Sequence, residues 1–243
     1  MWLKRVFRAE LKRSWITMRR YPVETASNLI TMAIFSIAAW VGLRAAFFAH
    51  KGAFGASAAL LWPLVLTGFG AAAASLQKDI GLGTVEQLYL SSPSVLNLLH
   101  VRVLVEYMST LLYVAPLWLV GGFYLGWGAL GRWLVVIVVP LALSLYGLGL
   151  ILAGMTLRYR RLGPLTNVLY FLFLGVSVIA LPQKGVWAWL GPFFPMVGVS
   201  AMPDWPVGWW LRYPAAVMYL ILGMVVFRRL EATAKRRGVI GRY

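Results

Sequence analysis

Residues 103–125 read VLVEYMSTLLYVAPLWLVGGFYL, and Glu106 carries the single charge in this stretch. A run of about 20 predominantly apolar residues is long enough to cross the hydrocarbon core of a bilayer. In lipid the backbone must satisfy its own hydrogen bonds, and a helix does so within one segment. The stretch therefore predicts a transmembrane helix and indicates the class of the whole chain.

Apolar stretches of similar length recur on both sides of this one. Of the 243 residues, 61% are hydrophobic and 12% are charged, whereas roughly 25% are charged in a typical soluble domain. This composition excludes a soluble globular protein. It predicts an all-α integral membrane protein with six transmembrane helices, at Ala26–Phe48, Ala56–Leu76, Val103–Leu125, Trp133–Thr156, Leu165–Leu181 and Pro214–Phe227.

The remaining charge is strongly basic, with 23 Lys and Arg against seven Asp and Glu. In a membrane protein such an excess marks the cytoplasmic loops. If the N-terminus is cytoplasmic, 18 of the 23 basic residues lie on the cytoplasmic side. The sequence therefore predicts that both termini are cytoplasmic, and we expect contact with membrane lipids rather than with nucleic acid.

The first 22 residues are basic and amphipathic rather than membrane-spanning. An interfacial helix over residues 1–22 is predicted because apolar side chains recur at helical spacing between basic ones. Pro22 should end or bend this helix at Tyr21. Residues 23–243 then form the six-span domain. The side chains expected to enter the lipid are Leu3, Phe7, Leu11 and Trp15.

The longest cytoplasmic loop, residues 77–102, has internal structure. Thr84 followed by Gln87 is a capping-box pattern, which predicts a short helix over Val85–Ser91. Pro93 suits the first turn of the next helix, which would run into the third span. The loop should therefore form a short helix, a corner and a long helix.

The outer segment, residues 182–206, is as apolar as a span but contains five prolines. Its uninterrupted apolar pieces are too short to cross a bilayer. They predict a re-entrant hairpin before the last span.

Catalytic and metal-binding patterns are absent from the sequence. The two histidines, His50 and His100, fall at opposite faces of the predicted membrane domain, and there is no cysteine. Glu106 is the deepest acid, and Arg102 precedes it by four residues, so the two are expected to pair on one helix face. No phosphate-binding G-x-x-x-x-G-K-[ST] motif occurs. We therefore expect no enzyme activity, catalytic residue, metal or cofactor in this chain, and any uphill work requires a second subunit.

Three segments carry a resemblance to a known family. They are RRYPVETASNLI at 19–30, GTVEQLYLSSPSV at 83–95 and LRYRRLGPLTNVLYFLFLGVSVIALP at 157–182. Together with the order of elements, they make the chain similar to the permease subunits of type-2 ABC exporters. The most specific piece is the GT-x-E-x-L-x-x-S-x-P segment within residues 83–93.

The resemblance implies a multi-pass subunit of the bacterial cytoplasmic (inner) membrane. It would pair with a second permease copy or a homologue and dock on two ATP-binding-cassette subunits, which would bind ATP and Mg²⁺. Its substrate would be amphipathic or lipid-like, such as a drug, a lipid or a glycoconjugate. The residues implied in coupling to the ATPase are Gly83, Thr84, Val85, Glu86, Gln87, Leu88 and Tyr89, with Arg158, Arg160 and Arg161 as a second contact.

Two other classes of function remain open at this point. An ion-coupled carrier or channel would use a charge at depth, for which Glu106 is the candidate. A non-transporting scaffold subunit would need no substrate path. The short helix could then be a polar linker, and the basic cluster around Arg158 a topology signal.

Overall fold

The computed structural model describes residues 2–27, 30–31, 33–34, 53–91, 94–125, 138–159, 162–178, 193–194 and 209–236. Regular structure within these ranges is helical throughout, which confirms the all-α class. The helices are α1 (Trp2–Arg20), α2 (Ala53–Gly81), α3 (Val85–Ser91), α4 (Val95–Leu125), α5 (Val139–Tyr159), α6 (Gly163–Val178) and α7 (Arg212–Arg236). A 3-10 turn, Trp209–Leu211, leads into α7.

Within the described residues, two helical segments are long and apolar enough to cross a membrane, Val95–Pro116 of α4 and Val139–Tyr159 of α5. The stretches predicted at Ala56–Leu76 and Pro214–Phe227 lie within α2 and α7. The fifth stretch is helical up to Val178. Most of the first stretch, from residue 35 onward, lies outside the described residues. So does the outer hairpin, apart from Phe193 and Phe194.

The core forms where α5 packs between α2 and α7. Gly147 of α5 and Gly223 of α7 face each other, and a side chain on either would overlap the backbone of the partner helix. A side chain at Gly149 would likewise overlap the Phe69 carbonyl of α2. Small residues at such crossings let helix backbones approach closely in the absence of a hydrophobic driving force. The largest fully buried side chains around these crossings include Phe69, Leu76, Leu99, Leu145, Leu150 and Phe227.

The N-terminal helix packs on α4 through polar contacts. Glu10 accepts a hydrogen bond from Arg102 at 3.0 Å, and the Ser14 and Ser109 hydroxyls are bonded at 3.1 Å. The two contacts follow the same order along both helices, so α1 rises along α4 instead of crossing it at one level. Tyr21 interrupts the helical geometry as predicted, and residues 22–27 are helical again.

Candidate functional site

The corner between α2 and α3 is closed by backbone hydrogen bonds. The Gly83 amide donates to the Ile80 carbonyl at 3.1 Å, and the Thr84 amide donates to the Asp79 carbonyl at 3.0 Å. Gly83 has a φ of 67°, the left-handed conformation that glycine adopts without steric cost. These features form a Schellman motif, which ends α2 and turns the chain at once.

Thr84 ends one helix and begins the next. Its carbonyl accepts the first bond of α3, from the Leu88 amide at 3.1 Å. Its hydroxyl donates back to the Asp79 carbonyl at 3.3 Å instead of capping α3. The short helix has the predicted bounds. The predicted capping box is not formed, because the described contacts of the Thr84 hydroxyl include the Asp79 carbonyl and not the Gln87 amide.

The inner face of α3 packs against the chain itself. Val85 and Leu88 are only 2% and 7% exposed. The Tyr89 ring lies under the Lys235 ammonium group, 4.7 Å from the ring centroid, and Lys235 also pairs with Glu231 at 2.8 Å. Burial and then the neighbouring Glu231 carboxylate raise the pKa of the Tyr89 hydroxyl above its ordinary value. This face fixes α3 to the end of α7.

The outer face of α3 has no such contacts. Leu90 is 89% exposed and Leu82, in the corner, is 63% exposed. Gln87 is also exposed, and Glu86 is half-buried. We call Leu82, Glu86, Gln87 and Leu90 the outer face of α3. An exposed leucine on a short, firmly held helix is a typical anchor for a partner surface.

This division separates the residues predicted for ATPase coupling into buried and accessible ones. Val85 and Leu88 are buried in the core, and Thr84 and Tyr89 hold the helix in place. Gly83, Glu86 and Gln87 are accessible. Leu82 and Leu90, which the predicted set does not include, are exposed as well. The i, i+3, i+4 spacing of Val85, Leu88 and Tyr89 already indicates which face turns inward.

The long helix α4 begins later than Pro93 indicates. Ser94 caps it, since the Ser94 hydroxyl accepts a hydrogen bond from the Asn97 amide at 3.3 Å. The Leu98 amide donates to the Ser94 carbonyl at 3.2 Å. Serine competes well for this position because its short side chain reaches the free amide groups of the first turn.

Arg102 joins three helices, which the sequence did not predict. Its guanidinium donates to Glu10 of α1, to Ser75 of α2 at 2.9 Å and to Asp79 of α2. The Asp79 side chain is nearly buried. The predicted Arg102–Glu106 pair is wrong because Arg102 turns to these three partners instead. We call Glu10, Ser75, Asp79 and Arg102 the arginine cluster.

Asp79 connects the arginine cluster to the corner. Its carboxylate binds Arg102, and its carbonyl accepts from both the amide and the hydroxyl of Thr84. A chain of hydrogen bonds therefore runs from α1 through α4 and α2 to the start of α3. Each group in this chain contacts the next directly, so a shift of one helix reaches the others through these hydrogen bonds.

The second predicted contact is described only in part. Arg158 is exposed and its guanidinium carbon lies 5.2 Å from the Tyr159 ring centroid, while Arg160 and Arg161 lie outside the described residues. With its amide oriented to suit these donors, Gln77 of α2 accepts from the Leu162 and Gly163 amides, each at 2.9 Å. Gln77 thus caps α6 and ties the basic connection to α2.

The other predicted residues are placed as follows. Among the described residues no group of three or more His, Asp and Glu could hold a metal ion. His100 bonds the Tyr146 hydroxyl of α5. On α1, Leu11 and Trp15 are exposed and Phe7 is half-buried, while the Leu3 side chain lies outside the described set.

Comparison of the chain with protein-family models, with curated proteins and with solved structures finds no match. The geometry nevertheless limits what this site can do. It presents an apolar and amide surface on a short helix, held from behind by hydrogen bonds and packing. Such a surface suits the docking of a protein more than the binding of a small polar ligand.

Proposed function

We propose that this chain is the membrane subunit of an ATP-driven exporter of the type-2 ABC class. Two copies, or one copy and a homologue, would form the path, and a separate pair of cassette subunits would bind ATP and Mg²⁺ and hydrolyse the nucleotide. The six-span topology, the cytoplasmic termini and the bacterial inner-membrane location are parts of this proposal. So is an amphipathic or lipid-like substrate, in keeping with the apolar composition.

The observation that carries the proposal is the division of α3 into two faces. Its inner side is buried against the chain, and its outer side exposes Leu90 almost completely. A short helix that receives force from a partner needs both properties. The exposed face supplies the contact, and the buried face prevents the helix from moving independently of the domain behind it.

The connections of α3 support force transmission to several helices. The corner is locked by the Gly83 and Thr84 amides, and Asp79 passes the connection to Arg102 and so to α1 and α4. Gln77 extends it to α6, and Tyr89 to α7. Displacement of α3 by a partner would therefore reach α2 and α7 directly, and α1, α4 and α6 through side chains of α2 and α4.

Substitution of Leu90 tests the proposal. The tagged chain is purified from its native host in mild detergent, and a bound cassette ATPase is identified by mass spectrometry and ATP hydrolysis. Leu90→Glu places a charge in the centre of the proposed interface, where loss of an anchor costs on the order of 2 kcal/mol, roughly a thirtyfold loss of affinity. We expect ATPase recovery to fall accordingly.

The matched control is Ala232→Glu, which adds the same charge at an exposed position of α7. It should leave ATPase recovery unchanged. Deletion of the whole of α3 is a poor test, because it would also remove the buried Val85 and Leu88. Equal recovery with Leu90→Glu and the unaltered chain would refute docking at α3.

The alternatives predict different results from the same preparation. A chain recovered without any ATPase, but with ion-driven uptake in vesicles that Glu106→Gln abolishes, would establish a carrier instead. A chain with neither an ATPase nor uptake would support a scaffold. Either result would overturn the exporter proposal.

A further inference from the structure

A groove lies between α1 and α4, next to the hydrogen bond between Ser14 and Ser109. Its volume is about 580 Å³, within the roughly 300–1,000 Å³ common for ligand sites. Apolar side chains from both helices form its walls, principally Leu11, Trp15, Met108 and Leu111. Trp15 is 62% exposed, so the groove opens to the surroundings of the protein.

The interior of the groove offers little to a polar ligand. Ser14 and Ser109 line it, but their hydroxyls are bonded to each other at 3.1 Å, and the Ser109 hydroxyl is also within reach of the Val105 carbonyl at 3.0 Å. With these groups already paired, the walls favour hydrocarbon. An alkyl chain is the occupant that gains from such a surface.

One rim of the groove is positively charged. Arg8 and Lys12, one helical turn apart, both line it and are exposed. Among the described residues no carboxylate pairs with either of them, because Glu10 turns away to Arg102 and to Arg13. Two adjacent cations above an apolar groove are complementary to a molecule with an anionic head and a hydrocarbon tail.

We propose that this groove binds one anionic phospholipid. Its phosphate would lie between Arg8 and Lys12, and one acyl chain would pack along Trp15 and Leu111. The proposal depends on the membrane location of the chain and not on export. A negative result in the lipid test would therefore leave the proposed export function untouched, and the reverse also holds. The lipid would fill the groove between α1 and α4 and hold α1 at its angle to α4.

The test uses quenching of Trp15 fluorescence by lipids brominated in the acyl chain. The full chain is reconstituted in nanodiscs of phosphatidylcholine with increasing fractions of brominated phosphatidylglycerol or brominated phosphatidylcholine. Subtracting the signal of Trp15→Phe isolates the Trp15 contribution from the other 11 tryptophans. We compare the mole fractions of the two brominated lipids at which the Trp15 fluorescence falls by half. We expect this mole fraction to be about tenfold lower for phosphatidylglycerol than for phosphatidylcholine.

Two pairs of substitutions separate a site from general attraction of a basic helix to anionic lipid. Arg8→Gln with Lys12→Gln should remove the tenfold headgroup preference, to which each charge contributes about threefold, somewhat less than the roughly fivefold of a basic residue at an anionic surface. Arg13→Gln with Arg20→Gln removes the same net charge at exposed positions outside the groove, and should retain most of the preference. Equal loss in both pairs would overturn the proposal in favour of non-specific attraction.

A third variant keeps the test decisive if the charge variants fold poorly. Leu111→Phe narrows the groove, adds no tryptophan to the fluorescence signal and leaves both cations in place, and circular dichroism checks its helix content. Quenching of Trp15 by brominated phosphatidylglycerol should fall. Undiminished quenching in this variant, or quenching of the unaltered chain without headgroup preference, would show that the groove is no phospholipid site.

Discussion

The contacts that hold α5 and those that hold α1 are built in opposite ways. Around α5 the backbones meet directly, at Gly147 against Gly223 and at Gly149 against Phe69. Around α1 the helices are joined by side chains, through Glu10 with Arg102 and Ser14 with Ser109. One contact is apolar and close, and the other is polar and longer.

This difference separates a fixed part of the molecule from an adjustable one. Backbones in direct contact cannot change their separation without losing dispersion contacts or overlapping. An arginine with three partners can keep some of its bonds while the helices shift, since its donors and its flexible stem allow several geometries. We infer that α2, α5 and α7 move as a unit, and that α1 adjusts its position against them.

The largest effect is expected from filling the glycine crossing. Gly223→Leu would drive a side chain into the Gly147 backbone, at a cost of at least about 4–5 kcal/mol, the upper end for a single substitution. We expect little monodisperse protein in size-exclusion chromatography. Gly81→Leu is the control, because a side chain at Gly81 meets nothing within 4 Å, and normal recovery of Gly223→Leu would contradict close packing of α5 on α7.

A smaller loss is expected from breaking the arginine cluster. Arg102→Met leaves the nearly buried Asp79 carboxylate without its cation. We expect the free energy of unfolding, measured by thermal denaturation, to fall by about 3 kcal/mol. Asp79→Asn added to Arg102→Met should recover most of that loss, because no charge is then left unpaired. If the double variant is as unstable as Arg102→Met alone, the ion pair is not the reason for the loss.

Much of the fold could be predicted from local patterns, and the arginine cluster could not. The bounds of α3 follow from Thr84 and the apolar spacing after it, and α1 follows from its amphipathic repeat. These features depend on residues within one or two turns of each other. Arg102 illustrates the limit, because its true partners lie 92 and 23 residues away while Glu106 lies four residues away.

The glycine crossings show the same limit in a different way. A glycine in a span predicts that some helix approaches closely, but the sequence does not say which one. Only the packed structure pairs Gly147 with Gly223. The outer face of α3, by contrast, could be predicted from the sequence, because Leu90 falls outside the apolar repeat of Val85 and Leu88.

An intermediate effect is expected for Gln77→Ala, which removes the cap from the first turn of α6. The stability of that turn should fall by about 1 kcal/mol. Hydrogen exchange at the Leu162 and Gly163 amides should accelerate roughly fivefold if local opening governs it. Lys78→Ala, at the exposed neighbouring position, should leave those amides protected. Unchanged exchange in Gln77→Ala would refute the cap.

The smallest effect is expected at the polar contact of α1. Ser14→Ala removes one interhelical hydrogen bond, worth about 0.6 kcal/mol in a membrane protein and about 1–2 °C in Tm for a chain of this length. Thr17→Ala is the control, since the Thr17 hydroxyl bonds only within α1, to the Arg13 carbonyl. A loss in Ser14→Ala as large as that in Arg102→Met would remove the distinction between the two kinds of contact.

The Schellman corner also sets the rotational phase of α3. Only Leu82, Gly83 and Thr84 separate α2 from α3, and the two closing amide bonds allow no slack. One residue added to α3 directly after Thr84 would shift each of its side chains by about 100° about the helix axis. Leu90 would rotate away from its present direction, and the face formed by Val85 and Leu88 would leave the core. The length of this link, more than its composition, therefore decides which side chains a partner would meet.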